Sequence, residues 1–400
     1  MIKTTYFLLL FIFTLQVRTV VHARKHPLTK VWGIEDQQVN FYLEREEVLS
    51  VEANSLSHVM EVNYGHLFGG VYMDTINNKL IVNVKDRSME NATILEPFKN
   101  LISFNIVENS MEELYNQLQA KINYQIQRRN RNIYVYIDAE ANDVLVIPNP
   151  QRSDSSNHDI TKRMPPKTIY KAQLGDGIRT LFASSRSIGR TCSIGFILHS
   201  KKTFRARNYK YYAVTSRSCD FKNQIGTNNK VYLQPWDFDE EQYLPYKLGQ
   251  IDVPQINYSI PYEYAAFFWE PNSLSQIQLE PAVIRNTGQD FEALRINRTE
   301  TKAPFGHHIC HSGFATHVTC GTVKGTRGNY VNEDQNQSEG YIFTNIHTEL
   351  EDLGGTIFFF RPGDLGSVYL FGLQVLSSIR TSIALSVNKV VDATSLILNL

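Results

Sequence analysis

At 400 residues the chain is long for one compact domain, and two or three domains are expected. A hydrophobic content of 42% is ample for real cores, and Tyr and Phe dominate a high aromatic share of 12%. Lys and Arg number 40 against 40 Asp and Glu. That balance excludes a protein built to gather nucleic acid by a global positive field, and no nucleic-acid partner is expected.

The N-terminus has Lys3, then the apolar run Tyr6 to Phe13, then Val21-His22-Ala23 as a small-residue cleavage site. This is the three-part layout of a secretory signal over residues 1–23, and its apolar run is too short to span a bilayer comfortably. No later segment is long and apolar enough to span, so no membrane association is expected. Four cysteines, Cys192, Cys219, Cys310 and Cys320, fit an oxidising compartment. Asn-x-Ser/Thr triplets at Asn91, Asn257, Asn297 and Asn336 are candidate glycosylation sites. Together these features predict a secreted, extracellular protein.

Residues 71–84 and 135–148 repeat one another. Val71, Tyr72, Asp74, Asn78 and Val82 align with Val135, Tyr136, Asp138, Asn142 and Val146. Each copy holds two short β-rich runs around a polar turn, a hairpin signature. A helical pattern precedes each. Met111, Leu114, Leu118, Ile122 and Ile126 recur at steps of three and four, with Ser110 and Glu113 as a capping box. Before the first hairpin, Val48, Val51, Leu56 and Val59 trace a less regular stripe. Residues 30–150 therefore read as two small α+β lobes, each a helix on a hairpin. No His, Cys or carboxylate cluster here has catalytic or metal spacing, and His66 and the acidic residues read as surface.

Residues 151–170 are polar and Pro-containing, a natural linker. Within it Lys162-Arg163 is either a dibasic processing site or a charged stretch of linker. From residue 171 to 400 short β-rich runs alternate with turn residues, the mark of an all-β sandwich or a pair of barrels.

Several stretches of this region carry a resemblance. His308-Ile309-Cys310-His311-Ser312-Gly313-Phe314-Ala315-Thr316-His317-Val318-Thr319-Cys320-Gly321-Thr322-Val323 meets every fixed position of Cys-x-Ser-Gly-x-x-Thr-x-x-x-Cys-Gly-x-Val. Leu174-Gly175-Asp176-Gly177-Ile178, Cys192 to Phe196 and Val368-Tyr369-Leu370-Phe371-Gly372-Leu373 fall before and after it in the same order. Together they resemble serine peptidases of the chymotrypsin fold, of the streptogrisin and α-lytic type. Phe68-Gly69-Gly70-Val71-Tyr72 and its hairpin resemble the two-lobed propeptide of that family, which serves there as folding helper and inhibitor. The resemblance implies an all-β double β-barrel over 171–400, preceded by a small α+β propeptide-like domain. It also implies disulfides Cys192–Cys219 and Cys310–Cys320. The larger loop would contribute about 3–4 kcal/mol in the chain-entropy model.

The same resemblance locates a degenerate site. Tyr212 to Cys219 stands where the family has Thr-Ala-Gly-His-Cys, so Ser218 occupies the place of the general base. A hydroxyl does not accept a proton at neutral pH as an imidazole does. Glu263 stands at the position of the orienting Asp. Glu351-Asp352-Leu353-Gly354-Gly355 matches the Gly-Asp-Ser-Gly-Gly turn, which puts Leu353 at the nucleophile's position and Glu351 at the oxyanion glycine. A second register, Gly363-Asp364-Leu365-Gly366-Ser367, also presents a leucine. Loss of a nucleophile or base costs roughly 10⁴–10⁶ in turnover.

His307, His308, His311 and His317 cluster in sequence but lack helical i,i+4 or Cys-x-x-Cys spacing, so neither a metal nor any other cofactor is expected. The function implied is that of a secreted, catalytically inactive peptidase homologue acting by binding. A peptide or protein segment in the inter-barrel cleft, or the chain's own propeptide-like domain, would be its partner. The alternative is an active serine-type endopeptidase with a non-standard site, for which Ser312, Ser338 and Ser367 are the nearby serines. A third reading is a chain whose propeptide-like domain is never removed.

Overall fold

The computed structural model describes residues 25–128, 133–148, 170–181, 188–200, 210–219, 230–236, 246–251, 264–269, 277–287, 291–331, 337–378, 381–394 and 396–400. The expected signal segment, Lys162-Arg163, Glu263, Asn257 and Asn336 lie outside the described residues. Asn91 and Asn297 are exposed. Among the described residues no helix is long and apolar enough to cross a membrane.

The N-terminal region begins with helix α1 (Pro27–Trp32) and the long helix α2 (Val39–Tyr64). The buried face of α2 is Val39, Leu43, Glu46, Leu49, Ala53, Leu56 and Met60, at steps of three and four. Of the stripe expected from sequence, Val48 is 56% and Val51 61% exposed. The helix carries apolar residues on two faces, and packing chose the one that also holds a glutamate. Strands β1 (Phe68–Asp74), β2 (Lys79–Val84) and β3 (Ile102–Ile106) form a sheet in that order. Helix α3 (Met111–Gln127) starts at a reciprocal cap: Ser110 Oγ accepts the Glu113 N–H at 3.2 Å, and the Glu113 carboxylate accepts the Ser110 N–H at 2.7 Å. The hairpin β4 (Ile133–Asp138) and β5 (Asp143–Pro148) follows.

The internal repeat is visible in the ladders. Val71 pairs with Val82, and Val135 pairs with Val146. Asn78 and Asn142 end their turns in the left-handed region, at φ 55° and 50°, a conformation that asparagine tolerates better than most residues. The preceding aspartates brace both turns: Asp74 accepts the Asn77 N–H, and Asp138 accepts those of Glu140 and Ala141, all at 3.0 Å. The two copies then part. Strand β2 goes on to β3, whereas β4 joins a sheet of the C-terminal region.

That region opens with β6 (Tyr170–Leu174), followed by β7 (Gly177–Leu181), β8 (Ile188–Ser193), β9 (Phe196–His199), β10 (Tyr211–Ser216), β11 (Lys230–Gln234), β12 (Tyr246–Ile251) and β13 (Tyr264–Trp269). Their order in the sheet is β9-β10-β13-β12-β11-β7-β8. Only Ile194-Gly195 separates β8 from β9, so these two are halves of one bent strand and the sheet closes into a six-stranded barrel. Next come β14 (Ile277–Arg285), β15 (Ala293–Thr299), β16 (His308–Gly313), β17 (His317–Val331), β18 (Gln337–Thr344), β19 (Thr356–Arg361), β20 (Asp364–Ser377), β21 (Ser382–Ser386), helix α4 (Val387–Thr394) and β22 (Ile397–Leu398). Strands β16-β17-β18-β21-β20-β19 form a second ring, closed by pairing of β19 with β16. Numbered within each barrel, both rings run 1-2-3-6-5-4. This is the all-β double barrel of the chymotrypsin-like fold, preceded by an α+β region. Cys192–Cys219 and Cys310–Cys320 are disulfide-bonded.

The N-terminal region is built into the second barrel. β4 pairs antiparallel with the end of β17, placing Tyr134 opposite Tyr330. Tyr136 stacks on Phe343 at 3.9 Å. Gly325 makes room for it, since a Cβ there would lie 2.2 Å from the Tyr136 ring. Leu28, Trp32, Val39 and Leu43 belong to the same apolar cluster as the barrel cores.

Candidate functional site

The turn between β18 and β19 packs onto the bend of the first barrel at residues 193–195. It is one turn of 3₁₀ helix, Leu350–Asp352, entered through a reciprocal cap between Glu349 and Asp352. Asp352 is fully buried. Its carboxylate accepts the Ala315 and Thr316 N–H groups at 2.8 and 3.0 Å, the Thr316 hydroxyl at 2.7 Å and the Glu349 N–H at 2.8 Å. Four donors thus replace the water that a buried carboxylate loses.

Leu353 follows, 2% exposed, within the main apolar cluster. Burial of such a side chain stabilises by about 1.5–3 kcal/mol. Its carbonyl accepts the Ser193 N–H at 2.8 Å and lies 3.7 Å from Cys219 Sγ. Gly354, at φ 87°, is needed for this seat: a Cβ there would meet Thr215 Oγ1 at 2.0 Å and the Ser193 carbonyl at 2.6 Å.

The four consecutive backbone donors of residues 352–355 are spent internally. Asp352 N–H bonds to Glu349 O at 3.2 Å and Leu353 N–H to Leu350 O at 3.3 Å. Gly354 N–H bonds to Gln374 O at 2.8 Å and Gly355 N–H to Asp352 O at 2.9 Å. An oxyanion hole requires such donors to converge on the position of a substrate oxygen.

Ser218 is half-buried in a 3₁₀ turn, Arg217–Cys219, and its N–H bonds to Ser216 Oγ at 3.1 Å. The contact of its neighbour Cys219 with Leu353 brings these two expected site segments together. Glu351 is half-buried, with its carbonyl accepting the Ser193 hydroxyl at 3.1 Å. The segment 363–367 sits at the turn from β19 to β20 instead. Ser312 is fully buried and donates to Arg285 O at 2.8 Å. Ser338 is buried beside Tyr341 Oη at 3.0 Å, and Ser367 donates to Asp364 at 2.6 Å.

The four histidines separate. His311 is fully buried beneath the turn, its Nε2 3.3 Å from Asp352 O and its Nδ1 without a hydrogen-bond partner. Burial pushes this imidazole below its ordinary value, against the pull of Asp352. His317 stacks on Trp236 at 4.3 Å. His307 and His308 meet Glu46 from α2, a constellation that no local spacing announced. Glu46 was expected at the surface and is 1% exposed. The legible signal was its register: 39, 43, 46, 49 is the buried stripe of α2, and one member is charged.

Ligand atoms of Glu46, His307 and His308 lie within 4.8 Å of one another. The hydrogen bonds argue against a metal centre. His308 Nε2 accepts the Phe360 N–H at 2.9 Å, which puts the ring proton on Nδ1, facing Glu46 Oε2. Neither nitrogen of His308 keeps a free lone pair, and two remaining ligands are fewer than a zinc site uses.

No protein-family model matches the sequence, and no curated protein matches it. Among solved structures the chain is similar to Thermobifida fusca protease A, at 14% identity over 57% of this chain and 98% of that one, with a TM-score of 0.37. It is similar to Nocardiopsis protease at 18% identity over 57% and 100%, TM-score 0.36. A chymotrypsin from Cellulomonas bogoriensis is similar at 17% identity over 57% and 99%, TM-score 0.36.

Proposed function

We infer that this chain is a secreted homologue of the chymotrypsin-fold serine peptidases that no longer cuts peptide bonds and acts by binding. The observation that carries the reading is the state of the turn 352–355. Its four consecutive N–H groups are bonded within the protein, and the residue at the nucleophile's position is a leucine sealed in the core. Catalysis needs an attacking atom, a base and a pair of free donors. Leu353 supplies no attacking atom, and Ser218 is no base at neutral pH. Two disulfides support an extracellular setting. The antiparallel pairing of β4 with the end of β17, an added strand on the second barrel, supports the chain's own N-terminal region as the segment bound.

Fluorophosphonate labelling of the purified full-length protein tests this, run beside a Leu353→Ser, Ser218→His double variant. The parent is expected to remain unlabelled and to leave casein intact. Labelling of the parent at any serine would overturn the reading. The variant is expected to label weakly or not at all, because the N–H of residue 353 that would serve an oxyanion is bonded to Leu350 O.

A further inference from the structure

The contact between the N-terminal region and the second barrel holds two histidines, His26 and His308, whose ring lone pairs accept backbone N–H groups. His26 caps α1: its Nδ1 accepts the Leu28 N–H at 3.2 Å. A backbone N–H only donates, so His26 Nδ1 is bare and its proton sits on Nε2, which is buried without a partner. The ring lies 4.4 Å from that of Phe360 on β19. Across the contact, His308 Nε2 accepts the Phe360 N–H itself, at 2.9 Å. Two imidazoles from opposite sides thus converge on one phenylalanine, and each accepts a backbone N–H. Protonating either would set one N–H against another.

Between them stands Glu46. Its Oε1 accepts the His308 N–H at 2.7 Å and lies 3.4 Å from Thr75 Oγ1, and its Oε2 accepts from His308 Nδ1. His307 donates from Nδ1 to His308 O at 2.7 Å, so in its neutral form Nε2 turns a lone pair to Glu46 Oε2 at 3.8 Å. Other charged groups among the described residues face this cluster. Asp36 accepts the His26 N–H at 2.6 Å, Glu300 faces His307, and Arg45 holds the Thr75 and Ile76 carbonyls at 3.1 and 2.8 Å. From β19, Phe359 and Phe360 approach.

We propose that His26, His308 and Glu46 form an acid-sensitive latch that holds the N-terminal region on the second barrel at neutral pH and releases it on acidification. The latch does not depend on whether the chain cuts peptides. Burial, aided by His308, depresses His26 to about 4, against the pull of Asp36. Burial likewise lowers His307, against the pull of Glu46. A buried imidazole with a depressed value favours docking fully above its free value of 6.5 and loses that contribution as pH falls toward the docked value. Burial alone would raise Glu46, but His307 and His308 outweigh it and the net shift is downward, which gives the same sign.

Hydrogen–deuterium exchange on the full-length chain, corrected for intrinsic rates, reads the latch segment by segment. For His26 alone, a fall from 6.5 to about 4 on docking favours the open form about 30-fold at a pH of about 5. Residues 27–32 and the β4–β17 ladder should therefore lose protection by at least that factor between about pH 7.5 and about pH 5, while β10 and β13 keep theirs. A His26→Asn, His308→Gln variant, whose amide oxygens can accept the same N–H groups at any pH, should flatten the response. Equal protection at both pH values would overturn the proposal, as would a uniform loss across both barrels or an unchanged response in the variant. If the variant fails to fold, the profile of the parent alone decides.

Discussion

The turn at 349–355 and the cluster around Glu46 are both buried and polar, but they satisfy their carboxylates with different donors. Asp352 is held by three backbone N–H groups and a hydroxyl, none of which titrates near neutral pH. Glu46 is held by a backbone N–H, a hydroxyl and an imidazole, and a second imidazole faces it. The first arrangement is rigid over a wide pH range. The second contains imidazoles, whose charge depends on pH. A motif pointed to the turn, where chemistry was expected and the geometry is closed. No motif pointed to the cluster, where protons can still move.

The sharpest test of this contrast is Asp352→Ala. It strands four donors at a buried position and should cost at least about 3 kcal/mol by chemical denaturation at neutral pH. A loss below about 1 kcal/mol would show that the turn is not the closed structure described. Removing the Cys192–Cys219 disulfide, which spans 27 residues and anchors the first-barrel side of the contact, should cost about 3.5 kcal/mol. The Cys310–Cys320 link, spanning 10, should cost about 2.7 kcal/mol, so the order of the two melts checks the chain-entropy account. Leu353→Ala should destabilise by about 2–4 kcal/mol through the cavity it leaves. A surface-facing position for this residue would instead make the substitution nearly neutral. Glu46→Gln is expected to be mildest, about 1–3 kcal/mol at neutral pH, because one carbonyl oxygen can still accept. Its diagnostic reading is a shallower fall in protection of residues 27–32 as pH drops below about 4.5, where the contribution of the Glu46 carboxylate itself is lost. An unchanged pH profile would remove Glu46 from the latch.

Much of the molecule was legible locally. The hairpin repeat rests on Asp74, Asn78, Asp138 and Asn142, whose side chains act within their own turns. The capping box at Ser110 and Glu113 is likewise local. The landmarks of the second barrel are closely spaced along one chain segment. What misled was α2. Its valines offered a plausible apolar stripe, but Val48 and Val51 face solvent because the barrel received the stripe through Leu43 and Glu46. Intrinsic pattern cannot choose between two apolar faces when the partner surface lies far along the chain.

Local chemistry sufficed to say that position 353 offers no side-chain oxygen, since a leucine side chain lacks one wherever it is placed. It sufficed also for the hairpins, whereas the cysteine pairing followed from the family resemblance. Whether the donors of the turn were free, and whether Glu46 would be buried, depended on contacts that no window of sequence contains. Glu46 and His308 stand 262 positions apart, and they meet only where the N-terminal region packs on the second barrel. The protonation states that follow were set by that burial, because an imidazole or a carboxylate responds to the solvent it has lost and not to its neighbours in sequence.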